Sequence, residues 1–436
     1  MTAQDQSTTS AALSAPQLAR QAGINPLDYL QDRGYLQDVT NADLLRRSFE
    51  EGVVTAYVGF DPTARSLHVG HMLGIMVLGT LQRFGHRPIP LGGGGTVMVG
   101  DPTGRTSARP VLSLEEIRDN LANILTQFDR FIDFDGGRFG VNPPALLLNN
   151  ADWLLELRYI EFLRDIGRHF SVNEMLAVES YKQRIETTGL NFVEFNYRIV
   201  QAYDFLHLFR TEGCLMQMGG SDQWGNITAG VDLIRRVTGG EAVGFVWPLL
   251  TTATGEKMGK SSGNSVWLDG TMTSPYDFYQ YWINVDDADV ERLLRLYTFL
   301  PKEEIAELAS VSGAALRTAK RRLALEVTTI LHGEEAAAQA DAAAQALFSG
   351  ARDLNDPTIP TTVVPLADAA DGLTIADAFI RAGLCSSRGD ARRLAQQGGL
   401  SINDEKVENV DLPYSVEAGS ALLRVGKKRF MRLTIE

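Results

Sequence analysis

Apolar positions at strand spacing and at helix spacing alternate along the first half of the chain. Stretches enriched in β-branched and aromatic residues predict strands, and apolar residues at helical spacing between them predict helices. The predicted strands are residues 53–60, 87–91, 145–149 and 214–218, and the predicted helices are 68–84, one from 114, one from 150, 192–209 and 222–236. Strands separated by helices favour parallel pairing with right-handed crossovers. We therefore predict an α/β fold with a doubly wound parallel, Rossmann-like sheet, which binds ligands at the carboxyl ends of its strands.

The pattern changes on both sides of this region, which divides the chain into candidate domains. Residues 1–24 are rich in Ser, Thr, Ala and Gln without a sustained apolar period, so we expect a disordered or weakly helical lead-in. Residues 25–270 form the Rossmann-like domain, and the Ala-, Leu- and Glu-rich residues 271–354 form an α-helical domain. Three prolines indicate a linker at residues 355–372, and residues 373–436 form a small α+β domain.

Composition narrows the class of protein. At 436 residues with 44% apolar residues, the chain is long enough for two or three domains with sizeable cores. It has no apolar run of the roughly 20 residues that a membrane helix needs and no secretory leader, so we expect a cytoplasmic protein. Its two cysteines are far apart and predict neither a disulfide nor a zinc site. The net charge of −13 argues against indiscriminate nucleic-acid binding but leaves room for a local basic surface.

A candidate phosphate site lies in the stretch from Tyr57 to His71. A helix that begins near His68 would carry two imidazoles, His68 and His71, at its N-terminus, where unpaired N–H groups and the helix dipole favour an anion. Gly70 between them would let a flat base or ribose approach the backbone. Taken alone, a surface turn with two solvated histidines is the better interpretation. A zinc site is weaker still, because i,i+4 spacing and a third ligand are missing.

A second candidate loop spans residues 255–264 and contains three glycines and two lysines, Lys257 and Lys260. Such a loop is mobile, and its lysines could close over a polyphosphate. It misses the Walker A pattern by one residue, because Thr254 stands where the first glycine would be needed. By itself, a loop of this kind is usually a solvated turn.

Together the two stretches resemble the paired signatures of class I aminoacyl-tRNA synthetases, which are written HIGH and KMSKS. Here they read His68-Val69-Gly70-His71 and Lys257-Met258-Gly259-Lys260-Ser261. Valine replaces isoleucine in the first and glycine replaces serine in the second, but the histidines and lysines are kept. The resemblance implies that basic side chains around the triphosphate supply catalysis. The catalytic residues implied are His68, His71, Lys257, Lys260, Arg105 and Arg109.

The predicted helix 192–209 carries a polar stripe, since Tyr197, Gln201 and Asp204 lie on one face of an otherwise apolar helix. From the residues alone, a buried structural network or a solvated face is as good an interpretation as a binding site. The stripe resembles that of bacterial-type tyrosyl-tRNA synthetases. The resemblance implies that Tyr197 and Gln201 bind the ammonium group of tyrosine, and that Asp204 and Tyr57 bind its phenol. Such a phenol site rejects phenylalanine, as is known for this enzyme family.

Two glycine-containing clusters complete the implied site. In the Gly-rich loop that starts at residue 92, the resemblance assigns Asp101 to the substrate ammonium group, with Thr96 close by. Alone, a glycine run of this kind is weak and often only a flexible turn. Residues 219–226 are assigned to the ribose and the substrate, with Gln223 toward tyrosine. The ATP-binding residues implied are Gly59, Asp61, Thr63, His68, Gly70, His71, Gly220, Asp222, Lys257, Lys260 and Ser261.

Residues 219–226 also predict the start of a helix capped by Ser221 or Asp222. In the C-terminal domain, helices are predicted over 374–382 and 387–397, the second capped by Ser386 or Ser387.

The C-terminal helices carry a cluster of arginines. Read alone, such a cluster is usually a solvated face. The order of elements, however, is a helix, an Arg-rich helix, a Gly-Gly pair and short strands. This order resembles the RNA-binding domain of bacterial tyrosyl-tRNA synthetases. The tRNA-binding residues implied are Arg381, Arg388, Arg392 and Arg393.

The resemblance implies an enzyme that activates L-tyrosine with ATP to tyrosyl-adenylate and pyrophosphate, then transfers tyrosine to the 3′ end of tRNA(Tyr). It implies Mg²⁺ that travels with ATP, no dedicated metal site, and a homodimer formed through an insertion around residues 120–190. Two alternatives remain open at this point. One is another HIGH-type nucleotidylyltransferase, and the other is an RNA-binding regulatory protein on a synthetase scaffold.

Overall fold

The computed structural model describes residues 13–103, 112–251, 258–261, 264–348, 361–370, 372–403, 405–414, 419–426 and 429–436. The chain divides into two compact units. The first unit comprises Met1–Ser274 and Asn284–Leu331, and the second comprises Pro275–Ile283 and His332–Glu436. The residues predicted as one helical domain, 271–354, are thus shared between the two units.

Helices and strands alternate in the order of the sequence. The helices up to residue 348 are α1 Ala15–Gln21, α2 Pro26–Arg33, α3 Ala42–Glu51, α4 Val69–Arg83, α5 Thr96–Val99, α6 Leu114–Gln127, α7 Ala151–Leu154, α8 Tyr159–Asp165, α9 Val172–Leu176, α10 Glu179–Thr187, α11 Phe192–Glu212, α12 Trp224–Thr238, α13 Pro275–Ile283, α14 Val290–Tyr297, α15 Lys302–Ala309, α16 Leu316–His332 and α17 Glu334–Phe348. The strands are β1 Asp38–Val39, β2 Thr55–Phe60, β3 Arg87–Gly92, β4 Leu148–Asn149, β5 Cys214–Gly220, β6 Val243–Trp247, β7 Lys260–Ser261 and β8 Asn264–Ser265.

The core of the first unit is a six-stranded sheet in the order β1-β6-β5-β2-β3-β4. Strands β2 to β6 pair in parallel and β1 pairs antiparallel to β6, so the predicted doubly wound, Rossmann-like sheet is confirmed with one antiparallel edge strand. The sequence analysis missed β1 and β6. It also predicted a five-residue strand where only β4, of two residues, pairs with β3.

The helix that follows β2 is buried over most of its length. Because α4 is apolar on all sides, it packs inside the unit rather than on its surface. A methyl group built on Gly74 of α4 would lie 3.2 Å from Trp247 and 3.3 Å from Val58, which shows how closely the helix packs on the sheet. The hydroxyl of Tyr297 on α14 donates to the carbonyl of Val69, which fixes the first turn of α4.

The longest described helix in the first unit, α11, is capped at both ends. Asn191 and Glu194 form a capping box at its start, and Gly213 ends it in the left-handed conformation with a φ of 60°. Arg184 on α10 donates to both carboxylate oxygens of Glu194 at 2.9 Å, in an ion pair that is almost fully buried. This pair ties α10 to the first turn of α11.

The described part of the predicted lead-in, residues 13–24, contains the short helix α1, so of the two expectations the helical one applies there and disorder does not. Ser14 and Gln17 form a capping box at α1, and Ala15 and Ala19 are buried. Gln17 also donates to the carbonyl of Phe139. The small residues that suggested disorder instead pack closely against the rest of the unit.

The second unit contains a five-stranded sheet and small helices. Its elements after residue 360 are β9 Thr361–Val364, α18 Leu366–Ala370, α19 Ile375–Arg381, α20 Arg388–Gln396, β10 Leu400–Ile402, β11 Glu405–Lys406, β12 Gly419–Val425 and β13 Arg429–Ile435. The sheet order is β11-β10-β12-β13-β9, with β9 parallel to β13. Ser387 caps α20, as predicted. None of the described helices in either unit is long and apolar enough to cross a membrane.

Candidate active site

The first polar cluster lies at the carboxyl ends of β2 and β5. Strand β2 pairs with β3 on one side and β5 on the other, so the strand order reverses here, and open α/β sheets bind ligands at such a switch point. Tyr57 and Gly59 point to the same face of β2, because side chains alternate along a strand. A methyl group built on Gly59 would meet no atom within 4 Å. Open space is therefore available beside Gly59 on the face of Tyr57.

The hydroxyl of Tyr57 is buried and unpartnered. Its side chain is 1% exposed, and the hydroxyl has no hydrogen-bond partner among the described residues. Leaving such a group unpaired costs about 1–3 kcal/mol. Burial, and next the Asp204 carboxylate, raise the pKa of Tyr57 well above its ordinary value, so the hydroxyl stays protonated. The side chain offers a hydrogen bond to a group that the described protein does not supply.

Asp204 faces the same region from α11. It is 2% exposed and accepts two hydrogen bonds, from Trp153 Nε1 to Oδ1 at 2.7 Å and from Asn150 Nδ2 to Oδ2 at 2.8 Å. Burial raises the pKa of Asp204 to about 8, although the two donors act in the opposite direction. The carboxyl group is thus held in one orientation, and its charge state changes near neutral pH.

Asn150 and Trp153 were not predicted as site residues. Asn150 is 1% exposed and directly follows the end of β4, while Trp153 lies on α7 one turn later. Their position after a parallel strand was the available signal, because ligands collect at that edge of the sheet. Their effect on Asp204 needs tertiary contacts that no sequence spacing shows.

A chain of hydrogen bonds continues from Asn150 to Tyr197. Asn150 Nδ2 also donates to Thr96 Oγ1 at 3.0 Å, Thr96 Oγ1 donates to Asp61 Oδ1 at 2.7 Å, and the Tyr197 hydroxyl donates to Asp61 Oδ2 at 3.1 Å. The structure therefore brings Thr96, Tyr197 and Asp204 together. Asp61, which the resemblance assigned to ATP, lies among the residues assigned to tyrosine. The backbone of Thr63, its neighbour in that assignment, donates to the Asp61 carbonyl.

Two other residues assigned to the substrate lie in direct contact. Gln223 Nε2 donates to Asp101 Oδ2 at 2.8 Å, and the Asp101 side chain is mostly buried. Gln223 Oε1 in turn accepts from Asn226 at 3.1 Å. Gln201 is half-buried on α11 between Tyr197 and Asp204, and its side chain forms no hydrogen bond within the described residues.

The two histidines cap α4. His68 is the N-cap residue, its Nδ1 accepts from the N–H of Gly70 at 3.0 Å, and its own N–H donates to Nδ1 of His71 at 3.3 Å. Because each Nδ1 accepts a hydrogen bond, each neutral ring carries its proton on Nε2. The rings stack with centroids 3.9 Å apart and planes 17° apart. The pair therefore presents Nε2–H donors beside a helix N-terminus, without requiring a charged imidazole.

The lysine loop and the histidine motif meet, although about 190 residues separate them in the sequence. Val69 N–H donates to the Val266 carbonyl, and Val266 N–H donates to the Gly259 carbonyl. Gly259 has a φ of 91°, in the left-handed region that favours glycine, and a methyl group on it would lie 3.1 Å from Gly70 N. The glycine that departs from the KMSKS pattern fits this close contact.

Two sequence interpretations need correction here. Gly70 was interpreted as a position where a base or ribose approaches, but a methyl group there would lie 2.8 Å from the His68 ring, so that ring occupies the space. Helix α12 begins at Trp224 with Gln223 as N-cap and no side-chain cap, not with Ser221 or Asp222. Asp222 lies instead in a short 3₁₀ turn.

The Asp222 carboxylate folds over Gly220, where a methyl group would come within 2.6 Å of it.

The side chains of four basic residues of the implied site lie outside the described part of the chain. Arg105, Arg109 and Lys257 lie outside the described residues. Lys260 and Ser261 form β7, but their side chains lie outside the described part.

A cavity of about 250 Å³ lies apart from these residues. It is lined by α9 and the turn before it, by Arg198 of α11, and by the middle of α12. Arg198 is the neighbour of Tyr197 but points away from the polar stripe. Within the described residues, no group of three or more His, Cys, Asp or Glu side chains could hold a metal ion.

Comparisons with known proteins identify the family. A model of class I tRNA synthetases (W and Y) matches residues 50–349, and a model of the tyrosine–tRNA ligase SYY-like C-terminal domain matches residues 358–433. A tyrosine–tRNA ligase from Desulfosudis oleivorans is 48% identical over 94% of this chain and 99% of its own length. One from Clostridium botulinum (strain Alaska E43) is 49% identical over 94% of this chain and all of its own length. The chain belongs to the tyrosine–tRNA ligase family.

The fold agrees with that assignment. The crystal structure of a C-terminally truncated Aspergillus nidulans mitochondrial tyrosyl-tRNA synthetase has 33% identity and a TM-score of 0.68, and it covers 76% of this chain and 97% of its own. As a class I aminoacyl-tRNA synthetase, the ligase activates L-tyrosine with ATP and transfers it to tRNA. The nucleotidylyltransferase and regulatory-protein alternatives are not needed.

The four C-terminal arginines assigned to tRNA are exposed, and each is paired with an aspartate. Each pair joins neighbouring parts of the second unit, and the closest N–O distances are 2.7–3.4 Å. The pairs are Arg381 with Asp368, Arg388 with Asp377, Arg392 with Asp411, and Arg393 with Asp390. In the free ligase these charges are therefore largely compensated.

Proposed function

We propose that the cluster at the switch point between β2 and β5 is the tyrosine site of the ligase, with Tyr57 and Asp204 around the substrate phenol. The observation that carries this proposal is the buried hydroxyl of Tyr57, which has no hydrogen-bond partner among the described residues and whose pKa the Asp204 carboxylate helps to raise. A phenol hydroxyl both donates and accepts, so it can pair with both groups. Phenylalanine would leave the Tyr57 hydroxyl unpaired and would offer Asp204 no hydrogen bond beyond those from Asn150 and Trp153.

The amino end of tyrosine then lies toward Tyr197, Gln201, Asp101, Thr96 and Gln223. The carboxylate of Asp61 accepts from both Thr96 and Tyr197, so we add Asp61 to this group. The carboxylates of Asp61 and Asp101 lie in a mostly buried setting and favour a cation, and the ammonium group of the substrate is a cation that binds there. Gln201, whose side chain has no partner in the described part of the chain, supplies a further polar contact.

ATP binds at the start of α4, with its triphosphate toward His68 and His71 and its ribose toward Gly220 and Asp222. The Nε2–H donors and the helix N-terminus support an anion there. The substrate carboxylate attacks the α-phosphorus in line, and pyrophosphate leaves with its electron pair. No protein nucleophile takes part, so catalysis consists of positioning and of charge stabilisation by the histidines and the basic residues of the two loops.

The basic residues of the two loops are Lys257, Lys260, Arg105 and Arg109, with Ser261 beside them. Mg²⁺ enters bound to ATP as part of the substrate. The location is the cytoplasm, in keeping with the bacterial relatives.

The experiment is tyrosine-dependent exchange of pyrophosphate into ATP. The wild-type ligase should respond to tyrosine and hardly to phenylalanine or tryptophan. Tyr57→Phe should raise KM for tyrosine about tenfold, because about 1.5 kcal/mol of hydrogen bonding is lost. Tyr35→Phe is the matched control, since that buried hydroxyl donates to the Leu296 carbonyl. Equal KM values for tyrosine in Tyr57→Phe and wild type would reject the assignment.

For tRNA binding we propose that Arg381, Arg388, Arg392 and Arg393 exchange their aspartate partners for phosphates. Exposed ion pairs contribute little to stability, so the exchange costs little. Replacing Arg388 and Arg392 with glutamine should weaken tRNA binding and reduce its salt dependence by about one unit of slope for each contact. Arg46→Gln, in an exposed pair with Asp28, is the control. An unchanged salt slope in the double variant would exclude the two arginines.

We also propose that the ligase is a homodimer formed through the segment around residues 120–190. This segment exposes Leu155, Tyr159 and Ile160, each by 60% or more. Exposed apolar side chains in such number indicate an interaction surface. Ile160→Asp should give monomers in sedimentation, while Leu412→Asp in the second unit should not. A wild-type monomer at micromolar concentration would contradict the proposal.

The domain roles follow from the same scheme. Residues 25–270 form the catalytic domain, 271–354 the α-helical domain on the anticodon side, 355–372 the linker and 373–436 the RNA-binding domain. The match of a synthetase model to residues 50–349 and of a C-terminal domain model to 358–433 supports a division near 355.

A further inference from the structure

His207 lies one helical turn after Asp204 on α11 and stacks on a side chain that holds the Asp204 carboxyl group. The imidazole of His207 and the indole of Trp153 are parallel within 15°, with centroids 4.3 Å apart. The same indole donates from Nε1 to Asp204 Oδ1 at 2.7 Å. Trp153 therefore connects His207 to Asp204 on one face of the helix.

The indole of Trp153 is half-buried and packs at the edge of the apolar core around α11. Its own helix, α7, has only four residues and no side-chain cap, so contacts with α11 contribute much of its positioning. His207 belongs to a row of aromatic rings on that helix, because it lies 6.4 Å from Tyr203, and Tyr203 meets Phe162 edge to face at 5.5 Å. The stack with His207 is thus one of the contacts that set the direction of the indole.

The imidazole acts through its face. Burial lowers the pKa of His207, so the ring is neutral near neutral pH. A phenyl ring of similar shape should therefore serve equally well.

We propose that His207 is a positioning residue for tyrosine recognition. By stacking on Trp153 it fixes the direction of the Nε1–H bond, and that bond fixes the carboxyl group of Asp204 beside Tyr57. The inference rests on the proposed assignment of Asp204 to the substrate phenol. It adds a residue that does not touch the substrate but sets the geometry of one that does.

The test uses the full-length ligase with His207→Ala and His207→Phe, and pyrophosphate exchange as the readout. His207→Ala should raise KM for tyrosine about three- to tenfold, the range expected for loss of one aromatic pair. It should reduce the preference for tyrosine over phenylalanine by a similar factor and leave KM for ATP unchanged. His207→Phe should restore both quantities, which a general structural defect would not allow.

A second pair of variants separates this inference from the site assignment. In an Asp204→Asn background, His207→Ala should have no further effect on the preference for tyrosine, because the group being positioned is gone. If Asp204→Asn itself leaves that preference unchanged, the phenol assignment is wrong. Suppose instead that Asp204→Asn abolishes the preference for tyrosine. If His207→Ala then leaves that preference intact, or if His207→Ala weakens the binding of ATP and tyrosine equally, the phenol assignment of Asp204 stands and the role of His207 is refuted.

Discussion

Replacing Asp204 with asparagine should weaken the dependence of the ligase's stability on pH. Burial raises the pKa of Asp204 to about 8 in the folded protein, and its ordinary value is 3.8. Between these values the folded protein keeps a proton that the unfolded chain releases. The stabilisation from this proton is complete below the ordinary pKa and is lost as the pH rises through the folded one.

The size of the effect follows from the two pKa values. Because one pKa unit corresponds to about 1.4 kcal/mol, the contribution of Asp204 falls by about 2.5 kcal/mol between about pH 5.5 and about pH 7.5. The asparagine variant cannot titrate, so its free energy of unfolding should fall by about that much less over the same range. It also lacks one acceptor oxygen for Asn150 or Trp153, which lowers its stability by about 1 kcal/mol at every pH.

Urea unfolding without substrate, followed by tryptophan fluorescence, measures this difference. Of the five tryptophans only Trp282 lies in the second unit, so the signal reports mainly on the unit that contains Asp204. Asp28→Asn is the control, because its ion pair with Arg46 lowers the pKa of Asp28 and it titrates below this range. If the asparagine variant at position 204 keeps the wild-type pH slope, Asp204 is ionised in the free ligase and the reasoning from burial fails.

Three further predictions concern single substitutions and their controls. Tyr57→Phe should raise the free energy of unfolding of the free ligase by about 1 kcal/mol, because it removes a buried hydroxyl that has no partner among the described residues. Urea unfolding would show a loss instead if that hydroxyl were satisfied. Gly59→Ala should leave stability within about 0.5 kcal/mol but raise KM for tyrosine or ATP, whereas Gly93→Ala should destabilise the fold, since its methyl group would overlap the Asp61 carboxylate. Glu194→Gln should lower the free energy of unfolding by about 3 kcal/mol, because it leaves the buried Arg184 without its carboxylate. The control Glu161→Gln, in an exposed pair with Arg158, should change it by less than about 1 kcal/mol. Equal losses in the two variants would contradict the role of burial.

The sheet was predictable where hydrophobic runs and turn signals coincide, as in β2, β3 and β5. Strand β6 was missed because it follows a Gly-Gly turn and precedes a proline, and a short apolar run there is compatible with a loop. Strand β4 was predicted too long: Leu146 still donates a backbone hydrogen bond to Pro88 of β3, but residues 145–147 do not continue the strand ladder. Local pattern indicates which residues are buried, but pairing depends on neighbours that are distant in the sequence.

The site was predictable to the extent that a single element carries its residues. Tyr197, Gln201 and Asp204 share one face of α11, which helical spacing alone indicates. The roles of Asn150 and Trp153 were not predictable, because their contacts with Asp204 span more than 50 residues of sequence. Asp61 was grouped with the nucleotide for its place in the motif, whereas its contacts are with Thr96 and Tyr197.

The histidine cap of α4 has a consequence for mutagenesis. An alanine at position 68 would remove both the Nε2–H and the cap of the helix, so a slower enzyme and a frayed helix would be confounded in one measurement. Asparagine is a favourable N-cap and can accept from the Gly70 N–H, but it lacks an atom that reaches as far as Nε2 of His68. Comparing His68→Asn with His68→Ala would therefore separate the role of the ring in capping α4 from its role in the reaction.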